Sequence, residues 1–345
     1  MDKPSRHQTM FMLLLLFAIS FTLILSSLVL SSPAPGMLFR QVANRLKALP
    51  PIRFLRRTMP CPKDIQVTEE KVALNLSAVS YDALLQALGG ILQTGGRYSP
   101  GTCKALEKVA LIIPYRDREK NLHILLRNLV PFLVRQQLEF TIFVVEQTKD
   151  YLFNRCLMFN VGFVEAQKRG NFTCFIIQDT DLIPRDNRNL YRCDKVPRHF
   201  VTSRGNETWK QNVSACFYRL PYPSFIGGVL GLRKDHMNKS NGCSNYFYGW
   251  GSEDDDLKIR MEDTGLDVVR YPGEIGAYYT LKHEKQTRNP QGEILRQTTK
   301  KRMKKDGLNS LQYELVDAKE KELYTWLLVK PPPPPASIYG TTPTP

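Results

Sequence analysis

Four acids stand in a row at Glu253-Asp254-Asp255-Asp256, directly after Gly249-Trp250-Gly251-Ser252. Tyr246, Phe247 and Tyr248 precede them, and Leu257 and Ile259 follow. Like charges side by side repel unless a cation or hydrogen-bond donors hold them together. Two readings stay open on this stretch alone. It is the acidic first turn of a helix over 255–263, where the dipole favours carboxylates, or a sugar or metal site with one carboxylate acting as base. The glycines leave room for a bound molecule beside the main chain.

Asp179-Thr180-Asp181 follows the apolar run 174–177. Two carboxylates at i, i+2 past a buried strand bind a hard cation that can bridge a diphosphate, or simply form a turn. Arg116 and Arg118 follow the apolar run 109–114. They are guanidinium partners for phosphate or a solvated pair. His283 follows the aromatic run 277–281. A lone histidine is structural or a ligand, and its neutral imidazole suits manganese.

The elements that must position these residues alternate. Strands are expected at 109–114, 140–145 and 174–177, and helices at 121–132 and 154–168. That order predicts an α/β fold with a mostly parallel sheet flanked by helices. Ligands bind such sheets at the carboxyl ends of the strands, where Arg116, Arg118, Asp179 and Asp181 all fall.

The chain divides by composition into a short basic tail (1–9), a run of about 20 apolar residues that reads as a transmembrane signal-anchor (10–31), and a Pro-rich basic stem (32–94) with a helical stretch near 80–89. A folded domain (95–329) and a proline-rich tail (330–345), expected to be extended and disordered, complete it. With 48 Lys and Arg against 33 Asp and Glu in 345 residues, the net charge is +15. The basic residues are dispersed and no zinc-finger spacing occurs, so the charge fits a membrane surface or anionic substrates and no nucleic acid is expected. Acceptor triplets for N-glycosylation start at Asn75, Asn171, Asn206, Asn212 and Asn238, which with the anchor points to a secretory lumen. Seven cysteines leave at least one unpaired and allow two or three disulfides of undetermined connectivity.

Taken in order, several stretches carry a resemblance: 112–118 (Ile-Ile-Pro-Tyr-Arg-Asp-Arg), Phe153-Asn154-Arg155, Asn160-Val161-Gly162-Phe163, 179–184, Tyr191-Arg192-Cys193, Leu220-Pro221-Tyr222, Gly227-Gly228-Val229, 249–256, His283, Asn289-Pro290-Gln291 and 306–311. Over about 95–328 the chain resembles the β-1,4-galactosyltransferase family of animal Golgi enzymes. The resemblance implies a type II Golgi membrane enzyme with a GT-A-like fold that binds a nucleotide sugar, depends on Mn2+ and inverts the transferred sugar. Asp181 and His283 would be metal ligands. Pro114, Arg116, Arg118, Phe153 and Arg155 would hold the uridine and phosphates, with Asp179 near the ribose and donor sugar. Trp250 would ride a small mobile loop, Asp254 would be the catalytic base, and Glu253 with Asp255 would place sugars. The segment 281–302 would close over bound donor. Disulfides Cys61–Cys103 and Cys174–Cys193 are implied, leaving Cys156, Cys216 and Cys243 unpartnered. The activity implied is galactose transfer from UDP-galactose to a terminal sugar, GlcNAc first, of a glycoprotein or glycolipid glycan.

Four positions depart from the galactose-transferring pattern. Thr280 replaces a methionine metal ligand, and its harder hydroxyl makes Mg2+ an alternative. Phe225 replaces a tyrosine, leaving an N-acetylhexosamine donor as the alternative to galactose. Gly292, Glu293 and Arg296 replace an apolar pocket for the acceptor's N-acetyl group. Ser252 replaces a glycine. From other classes, the competing readings are an inactive sugar-binding lectin or chaperone and a glycoside hydrolase with paired carboxylates.

Overall fold

The computed structural model describes residues 59–63, 65, 67, 69–205, 220–284 and 288–340. The expected tail and anchor (1–9, 10–31) lie outside the described residues. Among the described residues, no helix is long and apolar enough to cross a membrane.

The first half runs α1 (Tyr81–Leu88), β1 (Arg97–Tyr98), β2 (Lys108–Tyr115), α2 (Glu119–Arg135), β3 (Glu139–Gln147), α3 (Arg155–Arg169), β4 (Cys174–Gln178), β5 (Leu182–Pro184), β6 (Arg198–His199) and β7 (Ser203–Gly205). The second half adds β8 (Val229–Arg233), α4 (Lys234–Lys239), α5 (Glu253–Asp263), β9 (Val269–Arg270), β10 (Ala277–Thr280), α6 (Pro290–Gln297), α7 (Thr299–Arg302), β11 (Glu314–Glu320), β12 (Thr325–Lys330) and α8 (Ala336–Tyr339).

The central sheet has the order β11-β12-β3-β2-β4-β8-β6-β9, with β1 also on β3. Strands β12, β3, β2 and β4 are parallel, as are β6 and β9. Strand β8 is antiparallel to β4 and β6, and β11 and β1 are antiparallel to their partners. The sheet is therefore mixed, a correction to the mostly parallel expectation. A buried strand is apolar throughout in either direction, so the composition of β8 does not encode its polarity.

Alternation along β2 divides the core. Val109, Leu111 and Ile113 face one side with α1 and α2. Ala110 and Ile112 face the other with Phe159, Phe163, Leu257 and Met261 of α3 and α5.

Two boundaries are corrected. The folded unit does not begin at residue 95. Leu84 and Leu88, one turn apart on α1, are fully buried in the core with Leu92, and Cys61 is bonded to Cys103. This part of the expected stem is short on charge and carries a helix stripe that only packing can cover. The tail, too, is ordered as far as residue 340. The Tyr248 hydroxyl donates to the Pro332 carbonyl (2.6 Å), and the Tyr339 hydroxyl donates to the Tyr246 carbonyl (2.8 Å) and accepts from Tyr248 N–H (3.0 Å). Prolines preset the extended backbone, and α8 then delivers one aromatic to dock.

Both implied disulfides are present, Cys61–Cys103 and Cys174–Cys193. Cys156 and Cys243 are buried thiols, and Cys216 lies outside the described residues.

Candidate active site

The carboxyl ends of β2 and β4, the start of α3 and the start of α5 converge on a cleft of about 390 Å3, within the range of small-ligand sites. Asn154 caps α3, its side chain accepting from Leu157 N–H (2.9 Å). Arg155 therefore leaves the first turn toward the sheet. Its Nε donates to Asp179 Oδ1 (2.6 Å) and its Nη1 to Asp254 Oδ1 (2.7 Å).

The acidic run both opens a helix and borders the cleft. Helix α5 opens with all four acids in its first turn, and three of them line the cleft. The fourth, Asp256, turns inward and is fully buried, bound by Arg260 Nε (2.6 Å), Thr299 Oγ1 (2.6 Å) and Arg302 Nη2 (2.7 Å). The loop ahead of α5 takes left-handed angles at Gly249, Gly251 and Ser252, with φ of 93°, 116° and 70°. The first two suit glycine; the serine does so against the usual preference. That loop leaves Trp250 55% exposed.

On the opposite wall, β10 runs antiparallel to β5, pairing Thr280 with Leu182. Leu281 N–H then donates to the Asp181 carbonyl (2.8 Å), which brings His283 Nε2 to 3.2 Å from Asp181 Oδ2. Arg118 Nη2 lies 3.4 Å from His283 Nδ1. The Arg116 guanidinium stands over the Phe153 ring at 5.4 Å and donates to the Tyr151 carbonyl (2.7 Å).

The electrostatics follow from crowding. Burial, with Asp254 adjacent, pushes Glu253 up to about 8. Burial raises Asp179 to about 6 even with Arg155 beside it. Burial opposes the charge on Arg155, but Asp179, Asp254 and Glu253 together hold its pKa well above the ordinary value. The hydrogen bond to Asp181 raises His283. Behind the cleft, burial drives His199 down to about 3. Its Nδ1 accepts from Arg270 Nε (2.9 Å), so Nε2 carries the proton given to the Gly227 carbonyl (2.9 Å).

Pro114, Arg116, Arg118, Phe153, Arg155, Asp179, Asp181, Phe225, Trp250, Glu253, Asp254, Asp255 and His283 all line this one cleft. Thr280 does not, but its hydroxyl is buried without a hydrogen-bond partner. Asp181, His283 and that orphaned hydroxyl supply hard oxygens and an imidazole nitrogen, donors that fit Mn2+ or Mg2+. Among the described residues, no group of three His, Cys, Asp or Glu side chains stands ready for a metal. Of the expected ligands, Asp181 and His283 are in direct contact. The sequence reading did not place Arg204, Tyr222 and Arg288 in the site, yet all three line it. Arg204 lies over the Phe225 ring at 4.8 Å, and the Tyr222 hydroxyl donates to Asp255 (2.9 Å). Only the Leu-Pro-Tyr stretch around Tyr222 gave a prior signal; the arginines sit on a short edge strand and a loop, where no periodicity marks them.

Residues 61–194 match the family model for the N-terminal region of glycosyl transferase group 7, and residues 208–284 the model for the N-terminal domain of galactosyltransferase. Human beta-1,4-galactosyltransferase 6 is 38% identical over 279 residues, which is 77% of this chain and 68% of its own length. The chain belongs to the β-1,4-galactosyltransferase family. Another β-1,4-galactosyltransferase, number 5 of Mus musculus, is 38% identical over 263 residues, 74% of this chain. The chain spans 64% of that relative's own length. Among solved structures, a mutant of the Drosophila β-1,4-galactosyltransferase 7 in complex with manganese, UDP-Gal and xylobiose aligns with TM-score 0.55 and 28% identity. The alignment covers 66% of this chain and 95% of that one. The mixed α/β fold with its central sheet is thus close to a galactosyltransferase catalytic domain of GT-A-like form.

Proposed function

We propose that this protein transfers galactose from UDP-galactose, with inversion and in β-1,4 linkage, to a terminal sugar hydroxyl of a glycoprotein or glycolipid glycan. One observation carries the reading: Asp254 and the Asp181–His283 pair line one cleft, and Arg155 ties Asp254 to Asp179, two residues before Asp181. We place residues 10–31 as a signal-anchor and the catalytic unit in the Golgi lumen, as the apolar run and glycosylation triplets support.

The residues divide the work by position. Phe153 offers a ring face to the uracil, with Arg116 stacked on its far side. Arg116 and Arg118 meet the diphosphate as guanidinium partners. Asp181 and His283, with Thr280 beside them in the chain, would hold Mn2+, Mg2+ being the alternative, and the ion would offset the charge that develops on the departing UDP. Asp179 and Glu253 are placed to fix the donor sugar; a Glu253 that keeps its proton near pH 7 donates a hydrogen bond as well as accepting one. Asp254 takes the proton of the acceptor hydroxyl as that oxygen attacks the anomeric carbon from the face opposite UDP. Trp250 on its glycine-flanked loop excludes water that would otherwise hydrolyse the donor.

The test is sugar transfer by the full chain in detergent, with manganese and UDP-galactose, UDP-GalNAc or UDP-GlcNAc. Galactose transfer, lost with Asp254→Asn and with chelation, supports the reading. Transfer from an N-acetylhexosamine donor alone replaces the donor assignment and keeps the mechanism. UDP binding without any turnover leaves a binding protein in its place.

A further inference from the structure

The loop that carries Trp250 is held at its root from the far end of the chain. Tyr248 N–H turns back on the Tyr246 carbonyl (3.1 Å), which closes a three-residue turn centred on Phe247. Directly after that turn Gly249 enters left-handed backbone (φ 93°), and Trp250 follows on the cleft wall. The Tyr339 hydroxyl sits across both ends of the turn: it donates to the Tyr246 carbonyl (2.8 Å) and accepts from Tyr248 N–H (3.0 Å). Two further contacts tie Tyr248 to the same segment. Its hydroxyl donates to the Pro332 carbonyl (2.6 Å), and its ring meets the Tyr339 ring edge-on at 6.1 Å. Beyond the turn, Gly249 N–H donates to the Phe153 carbonyl (2.9 Å) and Asn289 N–H to the Trp250 carbonyl (3.0 Å). Elements of the cleft therefore hold the body of the loop, while its root is held by residues 332–339, none of which lines the cleft.

We propose that Tyr339 is a positioning residue for sugar transfer, its hydroxyl fixing the 246–248 turn and, through it, the placement of Trp250 over the donor. This rests on the transferase reading above. A phenol both donates and accepts, so one oxygen serves a carbonyl and an N–H at once. Tyr248 is 1% exposed, so little water reaches the groups that the phenol would leave behind. Trp250 is 55% exposed, and its indole takes its place from the loop backbone more than from packing. A shift of the turn therefore passes to the indole and admits water to the donor.

The experiment uses the full chain in detergent with manganese and UDP-galactose. It measures galactose transfer to GlcNAc, glucose or xylose alongside hydrolysis of UDP-galactose by water. Tyr339→Phe keeps the ring and loses the hydroxyl. It should raise the ratio of hydrolysis to transfer at least about fivefold, the size expected when one hydrogen bond's worth of orientation is lost. Its Kd for UDP with manganese should stay at the wild-type value and report an intact fold. Amide hydrogen exchange over 246–251 should quicken by a similar factor in the same variant. Hydrolysis and transfer that fall in parallel, at the wild-type ratio, would make Tyr339 a purely structural residue and overturn the inference. Unchanged exchange over 246–251 would overturn it as well. Wild-type UDP binding without transfer to any acceptor overturns the transferase reading and this inference with it.

Discussion

One guanidinium, that of Arg155, joins a carboxylate at the end of β4 to a carboxylate at the start of α5, at 2.6 Å from Asp179 and 2.7 Å from Asp254. The two acids are 75 residues apart in the chain and meet only through it. Arg155→Ala should lower kcat by about 10²–10³-fold, because the orientation of the proposed base is lost and two half-buried acids are left without their cation. Asp254→Asn should cost about 10²–10⁴-fold, as expected for removal of a general base. Steady-state kinetics with measured Kd for UDP separates the cases. The asparagine variant should keep UDP affinity, and wild-type kcat in either variant would refute the arrangement.

Stability should fall as pH rises from 4.5 to about 8, and Glu253 sets the sign. Burial raises its pKa from the ordinary 4.5 to about 8. Between those values the folded chain keeps a proton that the unfolded chain has released. The stabilisation is thus complete below the lower value and is lost as pH rises through the upper one. The Tm of the wild type, followed from about pH 5 to about pH 9, should drop further than that of Glu253→Gln. Parallel curves would show that Glu253 ionises normally.

Asp256 and Arg260 form a pair with no solvent exposure on either side chain, and Arg260 also holds Asp306 (3.0 Å). Removing one partner of such a pair costs about 3–5 kcal/mol. Arg260→Met should lose that much by chemical denaturation, and since the first turn of α5 is fixed through Asp256, activity should fall with it. A loss under about 1 kcal/mol would place the pair among the weakly coupled surface contacts.

Cys174 and Cys193 close a loop with a sequence separation of 19. Replacing both with serine should cost about 3 kcal/mol on the loop-entropy estimate. The measurement is a denaturant melt of both forms with free energy taken from midpoint and slope together, since the freed loop lets the unfolded chain expose more surface; equal free energies would refute it.

The legibility of this chain tracks how local each feature is. Strands β2, β3 and β4 and helices α2 and α3 could be read because their apolar residues repeat at the right period within one segment. Asp179, Asp181, Arg116 and Arg118 could be read because the carboxyl ends of such strands collect ligands. The antiparallel course of β8 could not, since direction leaves no trace in a wholly buried strand. Arg288 and Arg204 were missed because nothing local distinguishes an arginine that faces a cleft from one that faces water. Among the four acids, spacing alone could not separate inward Asp256 from Asp254. The partners that turn Asp256 inward, Arg260, Thr299 and Arg302, lie 4, 43 and 46 residues away.

The place of β12 bears on how the molecule comes into being. Strand β3 lies between β2, its neighbour in sequence, and β12, which pairs with its far edge from Phe143 to Gln147. During synthesis β2, β3, β4 and the cleft residues are made long before residues 325–330 leave the ribosome. Until then that edge of β3 carries unpaired backbone groups, the kind of edge on which nascent chains misassemble. A nascent chain cut short before Thr325 would retain every residue of the cleft and still lack the strand that seals the sheet beneath it. Completion of the sheet therefore waits on a strand that follows every cleft residue in the chain, and long-range pairing of this type is slow.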